Sequence, residues 1–140
     1  MPSIDAHRLA TKGNQEVIDF LLPQIAVHSQ WITIAAFYKA LHTVEILFQS
    51  GKPSPRPNGC QGHEDRRTAL LSNNRYLHIY KNYDALKKAS SVARYLEVHG
   101  HMYESFGDYM TPQVVEATIL KHYLIQVENS VANLLGKSPF

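Results

Sequence analysis

The stretch HSQWITIAAFYKALHTVEILFQS, residues 28–50, decides the fold. Within it Trp31, Ala35, Tyr38, Leu41, Val44, Leu47 and Phe48 return every three or four residues, the spacing that lines one face of a 3.6-residue helix. A strand would need apolar residues at every second position, and no such alternation is present. Ser29 offers an N-cap oxygen, and Gly51 stands where a left-handed residue commonly ends a helix. A long helix with one apolar face must bury it against other elements, so the remaining segments have to supply them.

Working outward, GNQEVIDFLLPQIAVHS (13–29) gives a shorter helical pattern through Val17, Phe20, Leu21 and Ile25, with Pro23 marking a kink or break. Downstream, GKPSPRPNGCQG (51–62) carries three prolines and three glycines and reads as a loop. HEDRRTALL (63–71) has the look of one or two helical turns. RYLHIYKNYDALKKASSVARYLEVH (75–99) places Leu77, Tyr80, Tyr83, Leu86, Val92, Tyr95 and Leu96 near helical spacing and predicts a helix running to Gly100. In TPQVVEATILKHYLIQVENSVANLLG (111–136), Thr111 is the expected cap, Pro112 the first helical residue and Gly136 the terminator. The prediction is one all-α domain over 1–140, an antiparallel four- or five-helix bundle without sheet. Trp31, Tyr38, Leu41, Tyr83, Leu86 and Leu124 are expected in its core.

Composition narrows the classes of function. The 140 residues are 44% hydrophobic, enough for a core without metal or disulfide staples, and the single cysteine, Cys60, forbids an internal disulfide. No apolar run reaches the roughly 20 residues of a membrane span. The start MPSIDAHRLATKG lacks the apolar centre of a secretory signal, so no membrane association and a cytoplasmic location are expected. A formal charge of +2 does not itself indicate nucleic-acid binding, although eight histidines make the surface more cationic as pH falls.

Four constellations carry chemistry. In CQGH, Cys60 and His63 have the spacing of half a zinc site, but no second cysteine-containing pair exists to complete four ligands. In HTVE, His42 and Glu45 share a helix face. They suit either a metal completed by His78, His99 or His122, or a histidine hydrogen-bonded inside the bundle. In HEDRR, Glu64 and Asp65 oppose the positive end of a helix dipole, while Arg66 and Arg67 suit a phosphate or a partner carboxylate. In ARYLEVHGH (93–101), Arg94 precedes His99 and His101. An arginine that stabilises phosphoryl charge and a histidine that moves protons suffice for metal-independent attack by an RNA 2′-hydroxyl on the adjacent phosphate. The same residues could instead simply cap a helix end. No cofactor motif is present, and none is predicted.

The segments YKALHTVEILF, HEDRRTALL and YKNYDALKKASSVARYLE, in this order and separation, resemble the HEPN domains of prokaryotes over about residues 29 to 99. The resemblance implies a small helical bundle, commonly dimeric, often part of toxin and antitoxin systems and in several cases RNA-cleaving. It assigns catalysis to Arg94 and His99, with His101 as the alternative, in a site completed across a dimer. In active members the residue after the arginine is often polar, whereas here it is Tyr95. A homodimer is also expected from the last helix, where Val114, Val115, Ile119, Leu120, Tyr123, Leu124, Ile125 and Val127 present apolar surface on several sides. Three readings follow: an endoribonuclease acting on RNA, a non-catalytic module binding a cognate antitoxin or nucleotidyltransferase, and a metal-binding bundle built on His42 and Glu45.

Overall fold

The computed structural model describes residues 2–50 and 55–140; Gly51, where the second helix was expected to end, lies outside the described residues. Helix α1 (Ile4–Leu21) starts at Ser3, whose Oγ accepts from the Ala6 amide at 3.1 Å. Pro23 sits in a single 3₁₀ turn, Leu22–Gln24, that links α1 to α2 (Ile25–Ser50). Helix α2 is kinked at His28 (φ −115°, ψ 19°), immediately before the predicted cap Ser29. Then come α3 (His63–Leu71) and α4 (Leu77–Tyr95), followed by a hairpin of β1 (Glu97–Val98) and β2 (His101–Met102). A short α5 (Phe106–Tyr109) leads to α6 (Pro112–Val114), a π-helical segment (Val115–Leu124) and α7 (Ile125–Leu135), which run on with helical backbone throughout.

Helix α2 is the centre of the bundle. Ile32, Ala36, Phe37, Ala40, Val44, Ile46 and Phe48 are wholly buried, as expected of a helix with neighbours on nearly every side. Helix α1 lies antiparallel to it, with His7 against His42 and Pro2 against Gln49. Helix α4 is antiparallel on another side, with Gln30 bonded to the Ala93 carbonyl and Phe48 edge-on to Tyr76. The last rod packs on both α2 and α4. The predicted terminators hold: Thr111 Oγ1 accepts from the Val114 amide at 3.3 Å, and Gly136 closes α7 at φ 72°.

Four expectations need correction. First, α1 begins thirteen residues before Val17, the first residue of its apolar pattern, because its buried face is made of His7, Thr11 and Ile18, mostly polar side chains. Second, Trp31 is 57% exposed: in the first turns after the kink only Ser29, Ile32 and Thr33 are buried, and Trp31 turns away from them. Leu41, Tyr83, Leu86 and Leu124 are buried as expected, and Tyr38 is half-buried. Third, α4 stops at Tyr95, where Leu96 takes a left-handed conformation, and a small antiparallel sheet follows with Glu97 opposite Met102 and Val98 opposite His101. Fourth, within Ile4–Ser50 one 18-residue window reaches a mean hydropathy of 1.2, high enough by length and composition for a membrane span. That stretch is interrupted by Pro23 and carries Gln24, His28 and Gln30, whose polar groups are costly in hydrocarbon.

The last rod covers most of its apolar residues within one chain, while Val114 and Ile125 stay exposed. Val115, Ile119, Leu124, Val127 and Val131 are buried, and Leu120 and Tyr123 pack on the same core. The step from Ile119 to Leu124 would leave the core face of an α-helix, at about 100° per residue. The wider i→i+5 hydrogen bonding of the π segment keeps both inside.

Candidate functional site

Two polar regions share the bundle. The first lies between α1, α2 and α3. Glu45, almost fully buried, receives Arg66 Nε at 2.9 Å and the Cys60 amide at 3.1 Å. A buried carboxylate needs such partners to offset its lost hydration. Helix α3 delivers Arg66 because its start is fixed by Asp65, which accepts from the Gln61 amide at 3.0 Å and pairs with Arg56 at 3.1 Å. These donors hold the Asp65 carboxyl below its usual range. One turn from Glu45, His42 Nδ1 lies 2.9 Å from His7 Nδ1. Burial lowers the pKa of both rings, so one neutral imidazole donates and the other accepts. Burial also pushes the Cys60 thiol and the Tyr83 hydroxyl up to about 12 each, Glu45 adding to both. Cys60 is therefore a protonated, inert thiol at neutral pH.

This region fits the hydrogen-bonded reading of His42, and Arg66 has found the partner carboxylate that HEDRR allowed for. The further histidines named beside His42 lie elsewhere: His78 bonds Gln126 at 2.9 Å, His122 stands edge-on to Tyr123, and His99 is on the hairpin. Among the described residues no group of three His, Cys, Asp or Glu is placed to hold a metal.

The second region is the C-terminal end of α4. Arg94 Nη1 donates to the Tyr38 hydroxyl at 2.9 Å, and its Nε reaches the Ser90 carbonyl at 3.4 Å. Its guanidinium lies 5.6 Å from the Tyr38 ring centre and 5.0 Å from that of Tyr95. Among the described residues Arg94 has no carboxylate in ion-pair range. Lys87, one face-repeat back on α4, has none either, whereas its neighbour Lys88 is paired with Asp84 at 2.9 Å. His63, exposed at the start of α3, stacks against Phe37 with ring centres 6.0 Å apart. Burial lowers its pKa first, and Arg66, Lys87 and Arg94 lower it further, so the ring is neutral at neutral pH.

The structure separates the predicted histidines from the helix end. His99 and Gly100 form the hairpin turn with φ 49° and 79°, the two positive angles of a type I′ turn. His99 therefore does not cap α4. It lines a groove with Asp84, Lys87, Lys88, Ser91 and Val98, and the Ser91 hydroxyl ties the hairpin to the helix through the Glu97 carbonyl at 2.8 Å. His101, on β2, stacks on Tyr103 at 4.7 Å. His99 thus shares a groove with Lys87, seven residues before Arg94 on α4, and no hydrogen bond joins Arg94 to His99. His63, Lys87 and Tyr38 were not singled out as partners of Arg94 from sequence. The seven-residue spacing of Lys87 and Arg94 was a readable signal, while the meeting of Tyr38 and His63 with α4 depends on tertiary packing. A larger cavity, of about 660 Å³, lies elsewhere, along α1 between Leu9, Gln15 and Phe140. The chain matches no family model, no curated protein and no solved structure.

Proposed function

We propose that this protein is a HEPN-like endoribonuclease that needs no metal, with the RNA phosphate held at the end of α4. The observation that carries the reading is Arg94. It is half-buried, oriented by the Tyr38 hydroxyl and two aromatic rings, and has no protein anion in range among the described residues. A guanidinium so placed supplies charge for a phosphate without first breaking an ion pair. Lys87 adds a second cation on the same face.

In the proposed reaction the imidazole of His99 takes the proton of the RNA 2′-hydroxyl. The 2′-oxygen bonds to phosphorus, the bond from phosphorus to the 5′-oxygen breaks, and the proton returns to that oxygen. The products are a 2′,3′-cyclic phosphate and a 5′-hydroxyl. Cleavage of single-stranded RNA in excess chelator, lost in Arg94→Ala and His99→Ala while both remain helical by circular dichroism, is the expected result. Equal activity in both variants and in the wild type refutes the assignment.

A second reading, a non-catalytic module for a second copy or a cognate antitoxin or nucleotidyltransferase, is favoured by one observation. Leu9, Phe20 and Val27 are 70%, 82% and 76% exposed, an apolar surface on α1 and the start of α2 that a protein partner would cover. Absence of RNA cleavage with and without such a partner would select it.

A further inference from the structure

Helix α2 carries its exposed tryptophan on the face from which Tyr38 bonds Arg94. Trp31 and Tyr38 are seven residues apart on one helix face, a separation along the axis of about 10 Å. Tyr38 holds Arg94 through its hydroxyl, Gln30 beside Trp31 bonds the Ala93 carbonyl, and Tyr95 lies over the Arg94 guanidinium. Trp31 is 57% and Tyr95 67% exposed. Both are large flat rings that an isolated bundle gains nothing by leaving in water. Arg94 touches Tyr38 and Tyr95 directly, Lys87 lies seven residues before it on the same face of α4, and neither has a carboxylate in ion-pair range among the described residues.

We infer that this strip is a stacking platform for unpaired nucleotides of single-stranded RNA, with bases on Trp31 and Tyr95 and backbone phosphates on Arg94 and Lys87. The occupant follows from the alternation of the two chemistries. Exposed π-faces beside cations without counter-charges complement a chain that alternates flat bases with anions. An apolar protein surface would leave the cations unpaired, and a phosphate alone would leave the rings bare. Paired RNA keeps its bases stacked inside the helix and cannot present them to the rings. The inference rests on the RNA reading above and adds which form of RNA is bound and by which side chains.

Trp31 is the only tryptophan of the chain, so its fluorescence reports on this strip alone. The test titrates the full-length protein with a short single-stranded RNA, 2′-O-methylated throughout so that it cannot be cleaved, and with the same sequence as a duplex. The single strand is expected to change Trp31 emission saturably and the duplex to leave it largely unchanged. By anisotropy of the labelled strand, Tyr95→Ala and Trp31→Ala should each weaken binding on the order of tenfold, and Trp31→Phe much less. Circular dichroism establishes that each variant is folded; because both rings are exposed, the substitutions leave the core intact. Single-strand binding that leaves Trp31 emission unchanged, or an equal response to the duplex, overturns the platform while leaving the cleavage assay free to support the phosphate site. Loss of all RNA binding and cleavage in the wild type overturns both. A Trp31 emission shift that depends on protein concentration without RNA assigns the strip to a second copy and overturns the platform.

Discussion

Arg66 and Arg94 are both half-buried arginines on neighbouring helices, and their surroundings assign them opposite work. Arg66 spends its charge on Glu45, which is itself almost fully buried and also bonded to the Cys60 amide. Arg94 meets a hydroxyl, a carbonyl and two rings, all of which orient it and none of which neutralises it. A cation whose charge is answered inside the protein holds the fold. One whose geometry is fixed but whose charge is left unanswered is poised for an external anion.

The largest expected effect breaks the first arginine's pair. Arg66→Met leaves Glu45 buried and uncompensated and should cost about 3–5 kcal/mol in urea unfolding, with Glu45→Leu recovering much of the loss in the double variant. Arg94→Ala should behave in reverse. Unfolding free energy should fall by about 1 kcal/mol, the worth of one hydrogen bond, while the cleavage rate falls on the order of a hundredfold. If Arg94→Ala unfolds the protein as Arg66→Met does, the contrast between the two arginines disappears.

Next comes the hairpin. Gly100→Ala places a β-carbon at φ 79° and should cost about 1 kcal/mol. It should also slow cleavage by displacing His99. An unchanged rate in a demonstrably loosened hairpin would shift the proton-transfer role away from His99, and His63→Ala would then be the variant to assay.

The mildest effect is on pH. Burial depresses the pKa of both His7 and His42 below the 6.5 of an unperturbed ring. His7 further lowers His42, and across the pair Arg66 lowers both rings while Glu45 raises both. With the folded pKa values lowered, the unfolded chain binds more protons as pH drops. The pair's contribution is therefore intact above about pH 6.5 and is lost as pH falls below it. The double variant His7→Asn, His42→Asn should flatten that slope in chemical unfolding at pH 5 to 7. An unaltered slope would place the pH sensitivity elsewhere.

Much of the fold was legible because α2, α3 and the last rod carry their own signals. The period through Ala35, Leu41 and Val44, the acidic start of HEDRRTALL, and the Thr111, Pro112 and Gly136 punctuation each act locally. The first half of α1 was not legible because His7 and Thr11 are buried by pairing with other polar groups, which hydropathy does not register. The hairpin was hidden for a related reason: its turn uses His99 at a positive angle in place of the commoner Asn, so VHGH did not read as a turn. The candidate site was half legible. Arg94 and His99 could be named from their spacing, but that Tyr38 would orient the arginine and that His99 would share a groove with Lys87 depends on how α2 and the hairpin pack on α4.

The central claim, that the cations at the end of α4 are reserved for RNA phosphates, is tested most directly by the salt dependence of binding. Affinity for a non-cleavable single-stranded RNA should fall linearly with salt on a double-logarithmic plot. Each phosphate contact removed should shrink the slope by about 0.7. The account predicts a smaller slope for both Lys87→Ala and Arg94→Ala, and no change for Lys88→Ala, whose charge is already answered by Asp84. Identical slopes in all three variants and the wild type would contradict it.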